Sequence, residues 1–197
     1  MQPVNDAPVL TVTGGTTLAY VENQAATAID AGVSIVDPDA PSTFNGAFLQ
    51  VSITANGAAQ DQLSVLNVGT GAGQVSVTGS SVFYGGVQVG TIDATLNGAN
   101  GQSLRIDFNA NSTSAAVNAV AKVVAYANIS EAPSTGNRSV SFRFNDGGNV
   151  GSGSALETTV AGDVITVASV NDAPVGTPGS FSVERNQSFV LSQSSFG

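Results

Sequence analysis

An all-β fold, a Greek-key-like β-sandwich of cadherin or immunoglobulin type with one inserted helix, is predicted by three features of this sequence. The apolar residues are mostly branched: Val occurs 27 times against 9 Leu, beside 17 Thr and 23 Ser. Branched side chains suit a half-buried pleated surface and lose rotamer freedom in helices. Two stretches alternate strictly. Leu104, Ile106 and Phe108 interleave with Arg105 and Asp107, and Val140, Phe142 and Phe144 interleave with Ser141, Arg143 and Asn145. Period two places one face in a core and the other in water. Finally, 23 Gly and 7 Pro are spread along the chain as turn punctuation rather than gathered into one tract.

Beyond the two alternating segments, shorter strands are predicted at Val9 to Thr13, Thr17 to Glu22, Val33 to Val36, Phe48 to Thr54, Gln62 to Leu66, Gln74 to Thr78, Ser81 to Tyr84, Val87 to Asp93 and Val164 to Val170. Many short strands between turn residues make a sandwich. One Ala-rich segment breaks the pattern. Thr113 to Ala127 carries Ala116, Val120, Val123, Val124 and Ala127 at helical spacing, with Ser112 or Thr113 available as a cap. It is expected to be a single helix crossing from one sheet to the other, its Val stripe on the core. Gly69, Gly71 and Gly73 lack the following helix and the cation of a phosphate cradle, and are expected in a hairpin loop.

The composition excludes several function classes. The chain has 197 residues, 42% of them apolar, enough for a core, and carries 14 acidic against 5 basic side chains, a net charge of −9. With no Cys and no His there is no thiol nucleophile, no zinc site of the usual ligand set and no Ser-His-Asp triad. Five cations argue against nucleic acid as a partner, because counterion release needs clustered positive charge. No apolar run reaches the roughly 20 residues of a membrane helix, so direct membrane insertion is not expected. No signal peptide is visible, and Met1 reads as an added start on a segment cut from a longer chain.

The repeat is the most informative feature. Val4-Asn5-Asp6-Ala7-Pro8-Val9 reappears as Val170-Asn171-Asp172-Ala173-Pro174-Val175, and Val21-Glu22 is echoed by Val183-Glu184. A hexapeptide near the start and again after the last strand punctuates tandem modules. The chain therefore divides into one module, 5–170, and a junction with the truncated start of the next, 171–197. That remnant is too short to bury a core alone and is expected to be a loose tail.

The repeated Val-Asn-Asp-Ala-Pro junction, the Val21-Glu22-Asn23 segment, the Asp37-Pro38-Asp39 turn and the Phe144-Asn145-Asp146-Gly147-Gly148 turn resemble the cadherin-like repeats of large bacterial surface adhesins. They are also similar to the repeats of chondroitin-sulfate-proteoglycan ectodomains. This sequence departs from true cadherins in its greater length, its inserted helix and a junction without the full acidic set. The resemblance implies β-sandwiches strung end to end at the cell surface, with calcium between neighbours.

Calcium takes six to eight oxygens, mostly from carboxylates and carbonyls. Ten of the fourteen acidic residues are Asp. In a sandwich the first strand leaves the N-terminal pole and the next returns to it, so Asp37 and Asp39 should lie beside Asp6, with Asp146 at the same pole. Glu22 should fall at the opposite pole, near Asn171 and Asp172. Each pole would offer half a calcium site, completed by the neighbouring module. A plainer role stands beside this one at every position, since Asp and Asn side chains also tie turns by bonding the local backbone. Asp30, Asp61, Asp93, Asp107 and Asp163 are expected to be solvated strand or turn residues.

The function predicted is a non-enzymatic, extracellular spacer module of a bacterial adhesin, stiffened by calcium, whose partners are neighbouring modules of the same chain and, at its target, a host or surface glycan or protein. The alternative is a carbohydrate- or ligand-binding sandwich, because function lives in sites rather than folds. A glycosidase using two carboxylates would need no His. The lack of Trp and the recurrence of the acidic pattern at a module junction argue against it.

Overall fold

Residues 4–148, 150–173 and 185 are described in the computed structural model of the chain. In chain order the elements are β1 (Val9–Thr11), β2 (Gly15–Val21), β3 (Thr27–Ala28), β4 (Ser34–Val36), β5 (Phe48–Ala55), β6 (Asp61–Val65), β7 (Val75–Thr78), β8 (Ser81–Tyr84), β9 (Val87–Asn97), β10 (Leu104–Phe108), α1 (Ser114–Lys122), β11 (Val124–Asn128), β12 (Arg138–Asn145) and β13 (Glu157–Ala168). All lie inside the predicted module 5–170. The expectation of a loose tail falls on residues outside those described, apart from 171–173 and 185.

The protein is an all-β sandwich with one helix. One layer is an eight-stranded sheet in the order β2-β13-β12-β5-β10-β9-β8-β7. Its neighbours run antiparallel except β2 and β13, which are parallel. Facing it are a three-stranded sheet, β3-β11-β6, the β1–β4 ladder and α1. The two segments with strict alternation behave as predicted, with Leu104, Ile106, Phe108, Val140, Phe142 and Phe144 all buried. Phe144 meets Phe44 edge-on at 5.5 Å between ring centroids, and Tyr20 meets Tyr126 at 5.1 Å. These contacts join the layers through one continuous core.

The helix links β10 of the large sheet to β11 of the small one, the crossover expected, but it is shorter than predicted. Thr113 caps it, its hydroxyl accepting a bond from the Ala116 N–H at 3.3 Å. It ends at Lys122, and its buried face is Ala116, Val117, Val120 and Ala121. Val123 caps its C-terminus, and Val124 begins a strand instead. Adjacent branched residues lose rotamer freedom in a helix, and β11 gains ladder partners on both sides, β3 and β6. Asn118 on α1 acts as a surrogate ladder partner for β4: its amide accepts from the Ile35 N–H (2.9 Å) and donates to the Ile35 carbonyl (2.8 Å). This covers an edge that would otherwise expose unpaired backbone. The glycines at 69, 71 and 73 lie between β6 and β7, strands of different sheets, so this is a crossing loop rather than the hairpin expected.

Candidate metal centre

The turn that follows β4 and the loop that follows β12 meet at the N-terminal pole, as the strand directions require. Asp37 Oδ1 accepts the Asp39 N–H at 2.9 Å, and Asp39 Oδ2 accepts the Asp6 N–H at 2.6 Å. Asp146 is buried; its Oδ1 accepts the N–H groups of Gly148 (2.8 Å) and Leu156 (2.9 Å), and its Oδ2 accepts the Asn5 amide at 2.9 Å. The structure thus brings Asp6, Asp37, Asp39 and Asp146 to one pole, but no three of their carboxylates converge closely enough to share an ion within this module. Asp37 and Asp146 tie their own turns, and Asp39 ties the incoming segment. Burial pushes the Asp37 carboxyl upward in pKa, against the pull of the Asp39 N–H, and the charges of Asp146, Asp39 and Asp6 add to the rise.

The opposite pole is built differently. Glu22 extends β2 by one residue, its N–H donating to the Ala168 carbonyl at 2.9 Å, and Asn23 turns the chain with φ 63°. Glu22 is only 4% exposed. Its Oε2 accepts the N–H of Val170 at 2.7 Å, in the linker that leaves β13. Its Oε1 is buried with no hydrogen-bond partner. One carboxylate oxygen from each of Glu22, Glu131 and Asp172 lies within 4.8 Å of the others. Glu22 and Asp172 were expected here. Asn171 lies in the same linker, but its amide turns to the Asp172 carbonyl at 3.4 Å.

Glu131 was missed by sequence reasoning. It follows β11 in a turn tied by Asn128 Oδ1 to the Ser130 N–H (2.8 Å) and Ser130 Oγ to the Ala132 N–H (3.1 Å). A signal for it was present: Glu131-Ala132-Pro133 repeats the acid-Ala-Pro triplet of Asp6-Ala7-Pro8 and Asp172-Ala173-Pro174.

Three carboxylates this close fit a hard divalent cation of the calcium class. They supply three to six oxygens, depending on how many bind through both, of the six to eight that calcium takes. A buried carboxylate oxygen left without a donor carries a desolvation penalty that a cation would relieve. The three ion pairs among the described residues, Arg105–Asp107, Arg138–Asp61 and Arg143–Glu157, use none of the carboxylates at either pole.

Three of the five acids expected to be solvated are buried instead. Asp61 is fully buried with Arg138, at 3.3 Å, and accepts from Tyr126 Oη (2.5 Å), the Asn128 amide (2.6 Å) and the Ala58 N–H (2.8 Å). Burial and the Asp61 carboxylate hold the Tyr126 phenol well above its ordinary pKa. Asp30 and Asp163 are also buried. Strand phase carried the signal: Arg138 is in register with inward Val140 and Phe142, Asp61 with Leu63 and Val65, and Asp163 with Ile165 and Val167. Asp93 and Asp107 are half-buried and border a shallow depression of about 670 Å³ with Ser80, Ile92 and Asn97. No aromatic ring lines it.

Comparison of the chain with family models, with curated proteins and with solved structures finds no match.

Proposed function

We propose that this chain is a non-enzymatic spacer module of an extracellular bacterial adhesin, joined end to end with similar modules and locked to its neighbour by calcium. The observation that carries the proposal is the grouping of Glu22, which has one orphaned buried oxygen, with Glu131 and Asp172 at the exit from β13. Glu22 and Glu131 belong to the body of the sandwich, whereas Asp172 belongs to the linker. A cation held by all three fixes the linker against the module, and water or the following module supplies the remaining oxygens. Without it the three carboxylates repel one another and the linker is released. A string of such modules is then flexible without calcium and stiff with it. The resemblance of the repeated junction to cadherin-like repeats supports the same assignment. At the other pole Asp6, Asp37, Asp39 and Asp146 would meet the preceding module in the same manner.

A ligand bound only by the folded state stabilises it by RT ln(1 + [L]/Kd), about 2.7 kcal/mol at a hundredfold excess over Kd. Chelator-treated protein should therefore melt several degrees higher in millimolar calcium, by the usual scaling of about 2–4 °C per kcal/mol for a chain of this size. Glu22→Gln keeps the size of the side chain but removes its charge. Its melting temperature should respond to calcium by less than a third of the wild-type shift. Equal shifts in the two proteins would remove Glu22 from the site, and no shift in either would leave a spacer without a calcium lock.

A further inference from the structure

The parallel β2–β13 ladder has carboxylates at both ends. Glu22 closes one end, and Asp163 sits at the other, paired in register with Gly15. Asp163 is fully buried; its Oδ1 accepts the Gly14 N–H at 2.9 Å and its Oδ2 accepts no hydrogen bond from any N–H or hydroxyl. The Asp30 carboxyl lies within hydrogen-bonding reach of it and is itself 4% exposed. Asp30 already accepts three hydrogen bonds and keeps room for a fourth. Its Oδ2 takes the Thr13 N–H at 2.7 Å, and its Oδ1 takes the Thr13 hydroxyl and the Gly32 N–H, both at 2.7 Å. Gly32 is required for this cradle, because a Cβ there would come within 2.4 Å of Thr13 Oγ1.

Two buried carboxyls in contact ionise together only at a cost, since neither water nor a cation offsets the repulsion, and one of them holds its proton to higher pH. The elements around Asp163 present no positive charge to it. The β1–β2 turn offers Gly14, β2 offers Gly15, β12 offers Val140 across the ladder, and the loop after β3 offers Asp30. Arg138, further along β12, is committed to Asp61. We infer that Asp30 and Asp163 share one proton, carried on Asp163 and donated to ionised Asp30, and that this proton is an acid-dependent latch tying the β1–β2 turn and the loop after β3 to the last strand. The orphaned Oδ2 is where that proton sits.

The two carboxyls are driven apart in the sense the latch needs. Burial, followed by the charge and hydrogen bond of Asp30, raises Asp163 to about 6, despite the Gly14 N–H. Asp30 is lowered, because the bonds from Thr13 and Gly32 together outweigh its desolvation. Between about pH 4 and 6 the folded state then holds a proton at Asp163 that the unfolded chain has lost. Stability conferred by the latch is full below about pH 4 and is lost progressively as the pH rises to and through about 6.

The test compares melting curves of the full chain and its Asp163→Asn variant, in chelator, from pH 4.5 to 8. The amide can accept from Gly14 and donate to Asp30 without a titrating proton. Wild type should lose roughly 5 °C between pH 5 and 7.5 relative to the variant, and at pH 7.5 the variant should be the more stable of the two. Asp37 also has a raised carboxyl, but it titrates in both proteins and cancels in the comparison. Parallel curves would overturn the latch. Should the variant not fold, a carbon-13 NMR titration of the Asp163 carboxyl in the unaltered chain decides. A midpoint above pH 5 supports the shared proton, and one below pH 5 overturns it.

Discussion

Replacing Arg138 with Met should cost about 3–5 kcal/mol, the usual penalty for removing one partner of a buried ion pair. Arg138 is fully buried, and its guanidinium bonds the Asp61 carboxylate as well as the backbone carbonyls of Ser134 and of Gly136 (2.7 Å). Its loss strands a buried carboxylate and two carbonyls at once. The pair ties β12 of the large sheet to β6 of the small one, so the damage falls on the contact between layers. Urea denaturation measures it. Adding Asp61→Asn to the Arg138→Met variant should recover part of the loss, because the stranded charge is then gone. A cost below 1 kcal/mol for Arg138→Met, or full additivity in the double variant, would show the two residues to be independent.

Gly98→Ala should be nearly as damaging, at about 3 kcal/mol, although it adds one carbon. Gly98 follows β9 with φ 81°, and its carbonyl accepts the Leu63 N–H at 2.8 Å, a backbone bond between the two sheets. A Cβ at 98 would lie 2.0 Å from the Leu63 carbonyl oxygen. Backbone cannot step aside as a flexible side chain can. Gly79→Ala provides the control: φ is 60° there, but nothing lies within 4 Å of the added carbon. It should cost only the roughly 1–2 kcal/mol of a left-handed residue. Equal losses in the two variants would mean that conformational strain, not the close approach of the sheets, limits position 98.

The strands with inward apolar residues at every second position were legible because one face is buried and the other wet, as in β10 and β12. The end of α1 was not, since Val120, Val123, Val124 and Ala127 fit a helical stripe while Val124 and Tyr126 also fit a strand. Pairing with β3 and β6 decided between them. β3, with two residues, is too short to leave any periodic trace. Both acidic poles followed from strand direction alone, which placed Asp6, Asp37, Asp39 and Asp146 at one end and Glu22 with Asp172 at the other. The buried charges at Asp61, Asp163 and Arg138 were hidden by treating charge as a sign of exposure. Their phase with neighbouring apolar residues was the better guide, because in a strand parity fixes the face whatever the side chain carries.

Calorimetric titration of calcium into the metal-stripped chain tests the proposed lock most directly. Saturable binding in the micromolar-to-millimolar range, reduced at least tenfold by Glu22→Gln and by Glu131→Gln, is the result expected of a cation held between the sandwich and its outgoing linker. Binding that is indifferent to both substitutions, or no binding heat at millimolar calcium, would contradict a calcium lock at Glu22, Glu131 and Asp172.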